Sequence, residues 1–191
     1  EYIGRGSDWG NPWSHLTSKF EDVTMVASRG EACNKYEDWI TFGDGRELLK
    51  KVRKLRGKTL GCFCGPEVRC HGDTLIKLAD MRRYGVIGSR DFNDFKFAER
   101  CINLLRGFHE VCIVSGGAKG ADSIAKDYAE KYQLPFVEYR ADWDTHGKAA
   151  GFLRNTQIVE DSDLLVCFWD GKSRGTKDSI DKARERKINT V

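Results

Sequence analysis

The chain has no apolar stretch long enough to span a bilayer and no visible secretory signal, which argues against a helical membrane protein and points to the cytoplasm. It has no internal repeats and no low-complexity segment. It also lacks a charge surplus: 32 Lys and Arg against 29 Asp and Glu leave +3, shared by both halves, without the polyelectrolyte footprint of a dedicated nucleic-acid binder. The one basic run, residues 50–58, reads as the solvated face of a helix. Seven cysteines, odd in number and without framework spacing, fit a reducing compartment. Two signature loops are missing as well. No Gly-x-Gly-x-x-Gly follows a strand, and no glycine loop ends in the Gly-Lys-Ser/Thr of a Walker motif.

What is present is a rhythm. From residue 81 onward the pattern predicts strand 84–88, helix 94–106, strand 111–115, helix 120–132, strand 135–140, helix 149–161, strand 163–169, helix 174–186 and a last strand beginning near Ile188. Strands alternating with helices give an α/β fold: a Rossmann-like open parallel sheet with helices on both faces. Residues 1–80 lack this rhythm and read as a small α+β domain, with helices near 31–41 and 45–55 and a short one over Leu75, Ile76, Leu78 and Ala79. Two domains, 1–80 and 81–191, follow, and no Pro/Gly/Ser-rich linker marks the join.

Three strand ends in the second domain carry chemistry. The run Ile113-Val-Ser-Gly-Gly-Ala-Lys-Gly-Ala-Asp122 empties an apolar strand into a glycine cluster that opens a helix. Gly116, Gly117 and Gly120 can take positive φ or admit a ligand close to the backbone, and the amides of a first helical turn face an anion with the helix dipole behind them. Ser115, Ala118, Lys119 and Asp122 belong to the same candidate cradle. A second corner, Asp170-Gly-Lys-Ser-Arg-Gly-Thr176, contributes Gly171, Ser173, Gly175 and Thr176. A third strand ends in Gly88, Ser89 and Arg90. Small residues, hydroxyls and cations at one carboxyl edge suit a nucleotide or another phosphorylated ligand; the plain alternative is a set of tight strand-to-helix turns. Between them, Trp143, His146 and Lys148 precede a helix bearing Arg154 and Asn155, and are expected to form a wall of the site. On this reading Gly117→Val removes ligand binding and leaves the fold intact.

These three motifs, in this order, resemble the SLOG superfamily of Rossmann-like domains, closest to its YspA-like branch and related to DNA-processing protein A and the Lonely Guy phosphoribohydrolases. The resemblance spans about residues 81–191 and implies a nucleotide-derived ligand. The Lonely Guy enzymes hydrolyse an N-glycosidic bond with an Arg and a Glu near a Gly-Gly-x-Gly-Thr-x-x-Glu motif; here the comparison offers Arg154 and Asp178 as catalytic candidates, with Asp in place of the Glu. It leaves three functions open: a nucleotide-binding sensor, a hydrolase or transferase acting on a nucleotide, and, less favoured, a single-stranded DNA accessory protein. Related domains assemble through helices flanking the sheet, so a homo-oligomer is expected.

Residues 1–80 resemble a small bacterial and phage domain of unknown function, through the opening Tyr2-Ile-Gly-Arg-Gly-Ser-Asp-Trp-Gly-Asn-Pro-Trp13 and the closing Cys62-Phe-Cys64 with Cys70-His-Gly-Asp73. On a strand, Cys62 and Cys64 share a face, so the residues read first as a reduced, buried cluster. The alternative is zinc, with Cys62, Cys64, Cys70 and His71 as ligands. His71, at a helix start, could also join Arg5, Ser7 and Asn11 in a second anion-binding surface; the competing view makes Asp73 an N-cap and His71 a solvated neighbour.

Overall fold

Ser28 opens the first long helix: its hydroxyl accepts from the amide of Glu31, and α1 runs over Arg29–Thr41 with Cys33, Tyr36 and Ile40 turned inward. The computed structural model describes residues 1–191, which divide into two units, Glu1–Met81 and Arg82–Val191. In the first unit β1 (Trp13–Ser14) and β2 (Thr24–Met25) form a short parallel pair. The helix expected near 45–55 is a chain of three pieces, 3-10 turns at Asp44–Leu48 and Arg53–Leu55 around α2 (Leu49–Val52). The helix α3 (His71–Asp80) closes the unit. Its core gathers Tyr36, Ile40, Leu49, Val52 and Leu75, none more than 1% exposed.

Cys62 and Cys64 do not lie on a strand. Gly61 makes a lone bridge to Tyr2, and residues 63–64 and 66–68 then turn. Gly65-Pro66 supplies the reason, since proline has no amide to give a ladder and glycine favours a bend.

In the second unit β3 (Arg82–Gly88), β4 (Val111–Ser115), β5 (Phe136–Glu138), β6 (Leu164–Phe168) and β7 (Asn189–Thr190) are all parallel, in the order β5-β4-β3-β6-β7. The helices between them are α4 (Phe95–Arg106), α5 (Ala121–Lys131), the single turn α6 (Trp143–His146), α7 (Ala150–Glu160) and α8 (Arg174–Glu185). α4 and α5 cover one face over Tyr84, Val86, Ile113 and Val166; α7 and α8 pack on each other, with α8 against β6 and β7. Central β3 is paired on both sides and all its residues from Arg83 to Ile87 are buried; Tyr84 to Ile87 form the run expected of a central parallel strand, and the buried Arg83 guanidinium is paired with Asp161.

Counted within this unit, the strand order is 3-2-1-4-5. The chain builds outward from β3 through β4 to β5, then crosses back to β6 on the other side. That reversal puts a topological switch point at the carboxyl ends of β3 and β6, where ligands of doubly wound sheets bind.

Candidate functional site

At the switch point the two strand ends are sewn together. Gly88 stands in register with Phe168, the amide of Ser89 donates to the Phe168 carbonyl at 2.9 Å, and the amide of Asp170 donates to Ser89 Oγ at 3.1 Å. Gly88 is required by close approach: a Cβ there would press on Ala121, at the start of α5, and on Phe168. Gly120, at φ +79°, lets the loop pass the Ser89 and Arg90 carbonyls, which no side chain would permit. A crevice of about 430 Å³ opens here, lined among others by Ser89, Arg90, Asp122, Arg154, Asn155 and Thr176.

The glycine loop holds its own anion. Asp122, 5% exposed in the first turn of α5, accepts from the Ala118 amide and from Arg154 Nη1, both at 3.1 Å. Burial pushes its carboxyl above the ordinary range, and Arg154 with the Ala118 and Gly116 amides pulls it back down in part. The loop amide of Ala118, expected to face a ligand phosphate, is thus occupied from within. Gly116 is explained by the same pair, because a Cβ would overlap the Arg154 guanidinium.

The second corner is built the same way. Asp170 Oδ1 accepts from the amides of Lys172 and Ser173, at 2.9 and 2.8 Å, and these bonds hold its carboxyl below the ordinary range. Ser173 caps α8 through the amide of Thr176, and the Thr176 hydroxyl donates back to Ser173 at 3.0 Å. Gly171 turns at φ +76°.

Of the residues named from sequence, Gly88, Ser89, Arg90, Ala118, Asp122, Arg154, Asn155, Ser173, Gly175 and Thr176 meet at this crevice. Others do not. Ser115 is wholly buried and donates to the Val86 carbonyl at 2.7 Å. Trp143, His146 and Lys148 are exposed around α6 and outside the crevice lining, as are Lys119 and Gly171. Asp178 also lies outside the lining: its Oδ2 accepts from Asn155 at 3.1 Å and from Lys182 at 2.8 Å. Gly117, at φ +67°, packs against the Glu138 carboxylate, so Gly117→Val would strain the fold itself.

Asp91, Asp170, Lys172 and Ser179 line the crevice without having been singled out. The signal for Asp170 was available, since Asp-Gly directly after an apolar strand marks a turn in which the carboxylate bonds backbone two residues on. Three cations, Arg90, Arg154 and Lys172, therefore face three carboxylates, Asp91, Asp122 and Asp170. The crevice has polarity without net positive charge.

In the first unit, the sulfur atoms of Cys62, Cys64 and Cys70 lie within 4.8 Å of one another, a group that could hold a metal ion. The three are half-buried and reduced, so the cluster is neither stranded nor deeply buried. His71 is outside that group: its Nε2 meets the Ile3 carbonyl at 2.8 Å, and it is 5% exposed rather than solvated. Cys70, not Asp73, is the N-cap of α3; Asp73 accepts the Cys70 amide to complete a capping box. Arg5 donates to the Asn11 and Trp13 carbonyls, and Asn11 to that of Ala32, so both brace the opening loop while also lining a cavity of about 550 Å³.

A 3-2-1-4-5 parallel sheet with a polar crevice at its switch point is a Rossmann-like α/β protein. Residues 86–146 match the YspA, cpYpsA-related SLOG family, and residues 1–81 match a domain of unknown function, DUF4326. The chain is similar to the gene 61 protein of Mycobacterium phage D29, 34% identical over 119 residues that cover 58% of this chain and 95% of the phage protein. It is also similar to an uncharacterized protein of Acanthamoeba polyphaga mimivirus, 32% identical over 105 residues, 50% of this chain and 74% of the viral protein. The chain belongs to the YspA, cpYpsA-related SLOG family. No helix is long and apolar enough to cross a membrane.

Proposed function

We propose that the Arg82–Val191 unit binds a nucleoside-derived small molecule carrying little charge, a nucleoside monophosphate or a nucleotide sugar rather than a triphosphate. The observation behind this reading is the crevice at the switch point of β3 and β6, with hydroxyls of Ser89, Ser173 and Thr176 and a one-to-one balance of cations and carboxylates. A polyphosphate would bring several negative charges beside Asp122 and Asp170; one phosphate near Arg90 or Lys172 and a ribose among the hydroxyls would not. The same balance disfavours long single-stranded DNA.

Calorimetry with a panel of nucleosides, nucleoside mono- and triphosphates, nucleotide sugars and ADP-ribose tests it. Gly175→Leu is the control. A Cβ at Gly175 meets nothing nearer than Asn155 Nδ2 at 4.0 Å, so the larger side chain fills crevice rather than core. Saturable binding of a monophosphate or sugar nucleotide, lost in folded Gly175→Leu, is expected. Equal affinity in the variant removes the crevice from consideration.

A second reading, hydrolysis or transfer at the N-glycosidic or phosphoryl bond of that ligand, draws on one observation. A buried carboxyl, Asp122, held above the ordinary range, is paired with Arg154 inside the crevice. A carboxyl and a cation side by side can exchange a proton with the ligand and meet developing charge, respectively. Asp178, joined to the crevice through Asn155, is the other candidate carboxylate.

A further inference from the structure

A cavity of the first unit has the cysteine cluster among its lining residues. Its about 550 Å³ are walled by Trp13, Phe20 and Phe63 and by the cations Arg5, Arg29 and Arg69, and no Asp or Glu lines it. Cys62, Cys64 and Cys70 all face it. We propose that the Glu1–Met81 unit binds one soft divalent cation of the zinc class through the thiolates of Cys62, Cys64 and Cys70, with the fourth coordination position open to this cavity for an anionic ligand. The inference is independent of the crevice in the second unit.

The geometry supports the metal. Thiolate sulfurs about 2.3 Å from a tetrahedral ion stand somewhat under 4 Å apart, and Cys62 Sγ and Cys64 Sγ are 3.7 Å apart, with Cys70 Sγ inside the same 4.8 Å group. Three thiolates are costly to gather unless a cation sits among them. A bound ion takes the thiolate form of each cysteine, so its binding releases the thiol protons to solvent. Arg29 Nη1 donates to Cys64 Sγ at 3.2 Å, compensating the third negative charge.

The geometry also argues for three protein ligands rather than four. The Ile3 carbonyl can only accept, so His71 Nε2 carries the hydrogen and Nδ1 is left facing Cys70 Sγ at 3.6 Å, outside the sulfur group. Nδ1 can accept only from a protonated Cys70 thiol, so His71 stands beside the site and is not counted among its ligands. Structural zinc sites take four protein ligands, whereas sites that bind an exogenous ligand take three. The cavity beyond, cationic and aromatic without a carboxylate, suits an anion with a flat apolar part.

The test uses the reduced full chain with Co2+ as a spectroscopic probe. One equivalent is expected to saturate a sulfur-to-cobalt charge-transfer band and the visible bands of a tetrahedral site, with Zn2+ displacing it. Cys62→Ser, Cys64→Ser and Cys70→Ser should each weaken binding at least about tenfold, the cost of a lost contact to the metal. Cys70→Ser is the sharpest variant, because serine caps a helix at least as well and its failure to bind cannot be loss of the α3 cap. Thiocyanate or azide should then shift the visible cobalt bands. Absence of a charge-transfer band, or a band unchanged in Cys70→Ser, overturns the metal site. Bands that neither anion moves overturn the open position.

Discussion

Arg154 reaches across from α7 to lay Nη1 against Asp122 Oδ2 at 3.1 Å, over the bare backbone of Gly116. Arginine, aspartate and glycine thus form one device in which each explains the others. The carboxylate gathers the loop amides, the guanidinium neutralises it, and the absent Cβ makes room.

The first prediction concerns the cost of breaking that device. Arg154→Met leaves a buried carboxylate without its cation and should lower unfolding free energy by about 3 kcal/mol. Asp122→Asn in the same background should recover part of it, giving a coupling above about 1 kcal/mol in a urea double-mutant cycle. Additive losses would show that the pair is incidental.

A second prediction is that two carboxyls of one crevice titrate in opposite senses. Asp122 is raised above its ordinary 3.8 chiefly by burial, so the stability it contributes is fully present below 3.8 and is lost as pH rises through its folded value. Asp170 is lowered by the Ser173 and Lys172 amides, so its contribution is present above 3.8 and is lost as pH falls through its folded value. Carboxyl-carbon NMR titration should place the two midpoints on either side of 3.8, and Asp122→Asn should flatten the fall in stability above it. Midpoints on the same side would contradict the assignment of causes.

Much of the second unit could be read in the sequence because its signals are local. An apolar run ending at Ser115 before Gly-Gly-x-x-Gly, and another ending at Trp169 before Asp-Gly, announce strand, corner and helix. The strand order could not be read, since it depends on which side of β3 the chain returns after β5. Nor could the inward turn of Asp122, which looks like any acidic residue in a first helical turn until Arg154 arrives from thirty-two positions away. In the first unit, Cys62 and Cys64 would share a face if they lay on a strand, but the chain turns at Gly65-Pro66 instead and both sulfurs meet that of Cys70 at the start of α3.

Two glycines separate strain from occupancy. Gly117→Ala places a side chain at φ +67° against the Glu138 carboxylate and should cost at least about 1 kcal/mol whether or not ligand is present. Gly175→Ala, in open space at the start of α8, should leave stability within about 1 kcal/mol of the parent. Thermal unfolding of the two variants without ligand checks both. Equal stabilities would mean that the loop rearranges and that its positive φ is not demanded by the fold.

The last prediction separates the two carboxylates that Arg154 and its neighbour Asn155 engage. Asp178 is tied to Asn155 Nδ2 and Lys182 Nζ, and its side chain is 21% exposed, whereas Asp122 lines the crevice itself. A group that exchanges a proton with the ligand must come within hydrogen-bond reach of it, and removal of such a group slows turnover on the order of a hundredfold or more. Where the parent releases free base or phosphate from a nucleoside monophosphate, Asp122→Asn should show that loss. Asp178→Asn, which keeps size and still accepts from Lys182, should bind normally and lose less than about tenfold. The reverse ranking would return the chemistry to Asp178 and make Asp122 a brace for the glycine loop; an inactive parent across the panel would leave the crevice a binding site alone.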